Sequence, residues 1–526
     1  MNNYIAVTIG PVLDTINLAS SPSALWAASY MMSMLSKNIC SVLLAKGIPQ
    51  EDIVSPYFDT NDPLINRADG VGLFHDRVIF KADNFDINNF KDIRKEAIQK
   101  TVASFGFEGK YISYFENYFL VSAVLIEDST NPILDSGKIL DCLELSKRFV
   151  STSENNPILS FYNSEEVKTS ESRNSESRNE EIKKQVTEKM EITNWQLLNN
   201  KKKIRSISDI AKGCGDSKIL WKKYNYYAVV RSDGDNISKI IAKLSSPAEV
   251  RDFSKICIKY CSDIADKLHK KYGGITIYAG GDDLLALMPV EYNKKNIFEF
   301  TKEANEDFKK SFSKFNQDIS LSFGIFVSYH KFPLYEALEQ SAYLLFDVAK
   351  KVKNCVAICF QKHSGQSEGL LICNNALEDY IKFHNECLNI KKDDEKSEDK
   401  IQEENKIILS AMHKFALYKK LFENAKNETE IRNVFTNTFD ADFQKYNNFL
   451  QNSLCEFYLK LFHGLEIYTL SENLSKYKIK NRKKGKILKE NNHYTLRKKY
   501  GTSYALKTEY ILRIIKFFKE KAGDNE

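Results

Sequence analysis

The strongest constraint in this chain is a pair of acidic turns, each entered from an apolar run. In the first, YYAVVRSDGDNISKII over 226–241, the apolar run ends at Ser232, and Asp233, Gly234, Asp235 and Asn236 turn the chain into a helical pattern. In the second, GITIYAGGDDLLALMPV over 274–290, two apolar segments flank Gly280, Gly281, Asp282 and Asp283. That pattern predicts a β-hairpin with acids at its tip. One acidic turn alone is ordinary. Two of them, 47 positions apart between Asp235 and Asp282 and separated by a helical segment, can bring a strand end and a hairpin tip together. Converging carboxylates are hard oxygen ligands suited to Mg²⁺ or Mn²⁺. Two such ions about 4 Å apart activate an attacking hydroxyl and hold a leaving pyrophosphate. Asp233, Asp282 and Asp283 are therefore the expected catalytic metal ligands. The glycines permit a tight turn and close approach of a nucleotide, so Gly234, Asp235, Asn236, Gly280 and Gly281 are expected beside it.

The rest of the chain predicts an α+β protein. At 526 residues it is long enough for several domains. Residues 3–9 read as a buried strand broken by Gly10-Pro11, and a helix follows from about Ser23 to Ala45, with Ser20, Ser21 and Ser23 as cap candidates and Pro22 suited to its start. Residues 73–80 and 118–126 read as strands around a helical stretch at 89–104. This gives a first domain over 1–150. Residues 151–194 are polar and Ser-rich, too poor in apolar groups to offset chain entropy, and read as a linker or insertion. A second strand–helix system, with a small helical segment before it, occupies 195–375. The remainder, 376–526, carries helical patterns at 405–424, 443–464 and 503–522 after a charge run at 391–406, and is expected to form a helical bundle. The strand at Tyr4 and the strand at Tyr226 echo each other, and aligning Ala6 with Ala228 sets Pro11 opposite Asp233. This suggests two related domains, the first without the acid.

Composition narrows the setting. The ten cysteines form no C-x-x-C pair, which fits reduced thiols in the cytoplasm. Cys257 and Cys261 could share a metal at i,i+4 spacing, but small residues on a buried helix face are the simpler expectation. No apolar run reaches the length of a membrane span, and the N-terminus lacks the pattern of a secretory signal. The net charge of +6 conceals an excess between Lys476 and Lys499, where eleven Lys or Arg stand against Glu490 alone. Lys483, Lys484 and Lys486 are expected to contact RNA phosphates or an acidic neighbouring subunit.

The second turn resembles the palm of nucleotidyl cyclases and of GGDEF-type cyclases, with GGDD in place of GGDEF. Four stretches make the chain similar to the large polymerase/cyclase subunit of type III CRISPR effector complexes, Cmr branch (type III-B): IGPVLDTI with ALWAASYMMS, SDGDN, GGDDLLAL, and LSFGIFVSYHKFPLYEALEQSAYLLFDVAKK at 321–351. The resemblance implies two ferredoxin-like, cyclase-like palm domains plus the C-terminal helical bundle. It implies an ATP-using nucleotidyltransferase that works with the other subunits, CRISPR RNA and target RNA, and makes an adenylate second messenger when target RNA binds. Asp233, Asp282 and Asp283 match its metal-binding acids. Lys350 sits where a related cyclase lysine reaches the triphosphate, although a solvated helix end would also carry lysine there. Ser322 lies either beside the nucleotide or simply in a buried strand.

The chain departs from the family in two places. The first palm begins at residue 3, leaving no room for the HD nuclease domain many members carry, and His75-Asp76 sits in a strand rather than in a nuclease site. Only Cys214 stands where relatives often hold a four-cysteine zinc site, so no zinc is expected. The product implied is cyclic oligoadenylate, or an AMP conjugate of S-adenosylmethionine. Gly10, Ser21, Ser23 and Asp69 are the acceptor-side candidates. The competing readings are a non-catalytic RNA-binding scaffold subunit and a stand-alone cyclic nucleotide synthase.

Overall fold

The computed structural model describes residues 2–19, 21–67, 70–83, 85–107, 109–145, 158, 207–211, 225–315, 318–390, 400–470 and 503–521. The polar stretch at 151–194, Ser20, Asp69, Cys214 and the basic segment with Lys483, Lys484 and Lys486 lie outside them, apart from Ile158.

Two antiparallel palms share one topology. In the first, β1 (Tyr4–Gly10), β2 (Ile53–Ser55), β3 (Arg77–Lys81) and β4 (Leu120–Ile126) lie in the order β2-β3-β1-β4. The continuous apolar run YIAVTI puts β1 in the centre, buried on both faces. A six-residue helix, α1 (Val12–Asn17), and the long α2 (Pro22–Ala45) connect β1 to β2, and α3 (Phe90–Ser104) leads from β3 towards β4 through the short α4 (Ile112–Tyr118). The helix α5 (Pro132–Glu144) packs back on β1, where Thr8 Oγ1 donates to Glu144 Oε1 at 2.7 Å.

After α6 (Ile207–Ala211), the second palm repeats the plan with β5 (Tyr226–Asp235), the short α7 (Ile237–Ile241), the long α8 (Pro247–Tyr272), β6 (Ile275–Gly280), β7 (Asp283–Pro289), a two-residue ribbon of β8 (Glu291–Tyr292) and β9 (Lys295–Asn296), α9 (Ile297–Ser311) and β10 (Ser320–Tyr329). Its strands β6-β7-β5-β10 reproduce β2-β3-β1-β4. Both palms are therefore βαββαβ units, the ferredoxin-like plan that the family resemblance implied.

The second sheet continues past β10 through β11 (Cys355–Gln361), which is parallel to it, then β12 (Ser367–Cys373) and β13 (Ile467–Leu470). Between β10 and β11 run α10 (Leu334–Tyr343) and a π-helical turn, Leu344–Ala349. The C-terminal region carries α11 (Asn374–Leu388), α12 (Lys400–Leu417), α13 (Lys419–Asn424), α14 (Glu428–Asn447), α15 (Glu456–Phe462) and α16 (Tyr504–Lys521). The sequence predicts only helices after 376. The strand β13 departs from that, pairing Ile467 with Ile372 and Tyr468 with Leu371 and so tying the helical region into the palm sheet.

The strand expected at 73–80 also begins later, at Arg77. Residues 71–76 instead run between α2 and the edge of β6. There Phe74 N donates to Ser33 Oγ (2.9 Å) and Ala279 N donates to Gly72 O (3.3 Å).

The palms dock through α8. The Arg251 guanidinium donates to the carbonyls of Gln50 (2.6 Å), Ile53 and Phe58 (2.9 Å). Tyr57 N donates to Ser254 Oγ at 2.7 Å, and Lys255 Nζ donates to Tyr57 Oη at 3.0 Å. Farther along the helix, Arg67 pairs with Asp266. Captured backbone carbonyls need a fixed partner when buried, so this face holds the palms in one relation.

Candidate nucleotidyl-transfer site

The strand β5 carries Asp233 near its end, and β7 begins with Asp283. Ser232 pairs with Leu284 across β5–β7, so by alternation Asp233 and Asp283 stand on one face. Asp282 completes the group from the turn. The three carboxylates each place an oxygen within 4.8 Å of the others.

Glycine makes this approach possible. A Cβ on Gly234 would lie 2.7 Å from Asp282 Oδ2, and Gly281 has φ +68°, a left-handed conformation that glycine adopts without strain. Below the turn, Cys261 Sγ donates to Gly281 O at 3.4 Å. Cys257 and Cys261 are buried thiols whose pKa values burial raises, the nearby Asp282 adding to it. They pack under the turn rather than opening into the acidic cleft.

Lys350, just after the π-helical turn, answers the acids. Its Nζ lies 2.9 Å from Asp233 Oδ2, donates to Gly234 O at 2.6 Å and lies 3.3 Å from Asp235 Oδ1. Burial alone would lower its pKa, but the hydrogen bond and charge of Asp233, with Asp235, outweigh burial and raise it. This lysine at a helix end thus faces the carboxylates.

The acids crowd one another. Burial first, then the charge of Asp233 and a hydrogen bond with it, push Asp282 up to about 7, while Lys350 works against them. Asp283 is exposed at the start of β7. Desolvation first, then Asp282 and Asp233, hold its pKa well above the usual carboxylate range. Three converging carboxylates, two of them with ionisation opposed by their neighbours, form a set that a divalent cation would stabilise. The donor chemistry fits Mg²⁺ or Mn²⁺.

Asp235 and Ser322 turn up in a different place from the one expected of nucleotide contacts. Asp235 is 1% exposed and Ser322 is fully buried. Asp235 Oδ2 accepts from Ser320 Oγ (2.8 Å), Ser322 Oγ (2.7 Å) and Asn354 N (2.8 Å). These bonds are made inside the fold: Ser322 lies in the buried strand that was one of its two readings, and Asp235 lies between the two serines and Lys350 Nζ. Asn236 has φ +63°, donates to Asp318 O at 2.8 Å and accepts from Lys353 Nζ at 3.0 Å.

On the acceptor side, Gly10 ends β1 and Ser21 caps α2, accepting from Ala24 N at 3.2 Å with Ser23 Oγ 3.4 Å away. His75 is held near pKa 4 by burial and the Arg77 charge, and its Nε2 lies 3.2 Å from Ser55 Oγ. It is a neutral interior histidine.

Sequence reasoning missed Ser320, Asn354 and the π-helical turn. One signal was available. Gly324 sits mid-strand in β10, and a Cβ there would collide with the backbone of Ser341 and Leu345. A glycine inside a strand marks such a close backbone approach.

Residues 226–357 match the family model described as Cas10/Cmr2, second palm domain, and residues 4–106 match that of the N-terminal part of CRISPR-associated protein Cmr2. The CRISPR system Cmr subunit Cmr2 of Pyrococcus furiosus is 31% identical over a match that covers 32% of this chain and 22% of that protein. The chain is thus matched over about a fifth of that relative's length. Among solved structures, Csm1 from T. onnurineus has TM-score 0.52 at 13% identity, covering 100% of this chain and 70% of that one. A type III-B Cmr-beta structure in the apo state has TM-score 0.52 at 11% identity, covering 81% and 76%. A Csm1–Csm4 cassette in complex with pppApApA has TM-score 0.50 at 12% identity, covering 98% and 69%. At such identities the likeness is one of fold.

Proposed function

We propose that this chain, a Cmr2-type large subunit of the Cas10/Cmr2 family by the two domain matches it carries, is the nucleotidyltransferase of a type III-B CRISPR effector complex acting on ATP. The observation that carries the reading is the convergence of Asp233, Asp282 and Asp283 within 4.8 Å beside Lys350. A scaffold would have no use for three converging carboxylates, two of which, Asp282 and Asp283, are held above the usual carboxylate range by desolvation and by their acidic neighbours.

Asp233, Asp282 and Asp283 would hold Mg²⁺ or Mn²⁺, which supplies charge neutralisation of the triphosphate and a lowered pKa for the attacking hydroxyl. Lys350 supplies a fixed ammonium towards the same phosphates. Asp235, Ser320 and Ser322 hold that lysine in place. The glycines at 234, 280 and 281 leave room for the nucleotide at the turn.

The first palm repeats the second but leaves β1 through Gly10 and Pro11, without an acid at the strand end. We assign it the acceptor, which must meet the donor α-phosphate in line. Positioning of that kind supplies several kcal/mol of a catalytic effect, roughly 7–11 at most. The Csm1–Csm4 relative was captured with pppApApA, which supports an adenylate chain or ring as product; an AMP conjugate of S-adenosylmethionine is the second product open to the same site. CRISPR RNA, target RNA and the other subunits are the partners of this reading, and the cytoplasm is its location. Among the described residues no helix is long and apolar enough to cross a membrane.

Incubating the protein, alone and in its complex, with each labelled nucleotide tests the proposal. ATP should be consumed with release of pyrophosphate. Product from ATP alone identifies oligoadenylate; product that requires added S-adenosylmethionine, with one adenylate per methionine, identifies the conjugate. No turnover of any nucleotide by the target-bound complex would leave the scaffold reading.

A further inference from the structure

We propose that residues 70–74 of the first palm form a positioning strap that sets the catalytic turn of the second. The strap is fastened to α2 at two points. Trp26 Nε1 donates to Gly70 O at 2.7 Å, and Phe74 N donates to Ser33 Oγ at 2.9 Å. Trp26 and Ser33 are seven residues apart, so both lie on one face of α2. Between the two points the strap runs close to the helix: a Cβ on Gly72 would lie 3.0 Å from Ser33 Cβ.

At its middle the strap reaches the other palm. Gly72 O accepts from Ala279 N at 3.3 Å. Ala279 lies in β6, the edge strand of the seven-stranded sheet, and is fully buried. An edge N–H in such a place needs a partner, and the first palm provides it. Ala279 immediately precedes Gly280, where the catalytic turn begins. On the other side Cys261, from α8, donates to Gly281 O. The turn carrying Asp282 and Asp283 is thus held between a segment of the first palm and a helix that is itself bolted to the first palm through Arg251 and Arg67.

The consequence is that the first palm does more than face the second across a cleft. Trp26, Ser33 and Gly72 are positioning residues for the carboxylates, acting through the backbone of Ala279. Metal-ligand geometry tolerates displacements of only about 0.5 Å, so a loosened strap weakens cation binding before it disturbs the fold. This inference rests on the reading of Asp233, Asp282 and Asp283 as metal ligands, and its test separates the two.

The full-length chain is prepared as wild type, as Trp26→Phe/Ser33→Ala, and as Asp282→Ala/Asp283→Ala. Trp26→Phe keeps an aromatic ring and removes the N–H donor together with the pyrrole half of the indole, so Ser33→Ala alone, which removes only a hydroxyl, is prepared alongside it. Two quantities are read: the Mn²⁺ dissociation constant by calorimetry, and amide exchange over residues 279–283. The strap variant should bind Mn²⁺ at least tenfold more weakly and exchange faster at 279–283, with exchange in α9 and the far-ultraviolet circular dichroism unchanged. Wild-type exchange at 279–283 in that variant overturns the strap, whatever the ion does. Equal Mn²⁺ binding by wild type and the Asp282/Asp283 variant instead overturns the metal reading, and the exchange data still decide the strap. Should the double variant fail to fold, Ser33→Ala alone serves, with a threefold weakening expected and wild-type values refuting it.

Discussion

Lys350 Nζ lies 2.9 Å from Asp233 Oδ2 and donates to the carbonyl of the next residue, Gly234, at 2.6 Å. One ammonium therefore fixes both the side chain and the backbone of the strand end that meets the catalytic turn. Lys350→Met keeps the length and loses the charge. A hydrogen bond to a charged group contributes about 1.5–3 kcal/mol, so kcat/KM for ATP should fall roughly 10- to 100-fold. Steady-state pyrophosphate release measures this. Unchanged kinetics would remove Lys350 from the site.

The Asp282→Ala/Asp283→Ala protein should lose nucleotide conversion while keeping its fold. Removing two acids from a crowded cluster relieves repulsion, so in metal-free buffer its melting temperature should equal or exceed that of wild type. Wild-type turnover by this variant in Mg²⁺ or Mn²⁺ would sink the mechanism.

A pH dependence follows from Asp282, whose pKa in the fold is raised to about 7 from 3.8. A group raised on folding favours the folded state fully below its unfolded value, and that contribution is lost as pH rises through the folded value. Metal-free protein should therefore lose stability between about pH 4 and pH 7 through this group, and Mn²⁺ should bind more tightly over the same interval because it competes with the proton. Asp282→Asn should flatten the stability change. Melting curves in chelator at pH 5 and pH 8 compare the two proteins; parallel declines would count against the assignment.

Gly234→Ala should damage the site more than Gly281→Ala. The first substitution drives a methyl into Asp282, with a Cβ 2.7 Å from its Oδ2, whereas the second meets nothing within 4 Å and only a left-handed φ. Overpacking costs about 1–3 kcal/mol and the backbone strain of an alanine there roughly 1. Denaturation midpoints together with Mn²⁺ affinity give the ranking, and the reverse order would mean the two halves do not meet as described.

Charge reversal at Lys483, Lys484 and Lys486, outside the described residues, should weaken RNA binding or assembly of the complex. The loss should shrink as salt rises, since neutralised phosphates release counterions. Equal affinities across a salt series would leave these lysines as solvated residues.

The sequence by itself determined which acids stand at strand ends and that two strand–turn–helix units echo each other. Acids at the ends of apolar runs are local patterns, and the alternation of burial puts Asp233 and Asp283 on one face wherever β5 and β7 pair. The strand–turn–helix echo was likewise visible, in the apolar runs YIAVTI and YYAVV that each enter a turn and then a helix. Tertiary structure decided what supports the acids. Asp235 reads as a fourth acid of the turn and, two residues beyond Asp233, shares its face of β5, yet it is buried against Ser320, Ser322 and Asn354. Those partners are 85 to 119 residues away, and no local pattern encodes such a distance. The same holds for residues 70–74, which read as the approach to a strand but pair with Ala279 across the palm boundary, and for β13, whose four residues carry too little pattern to announce a place in the sheet. Local periodicity fixes which faces are apolar. Which distant face covers them is settled only when the whole chain packs and each buried N–H and carbonyl finds its partner.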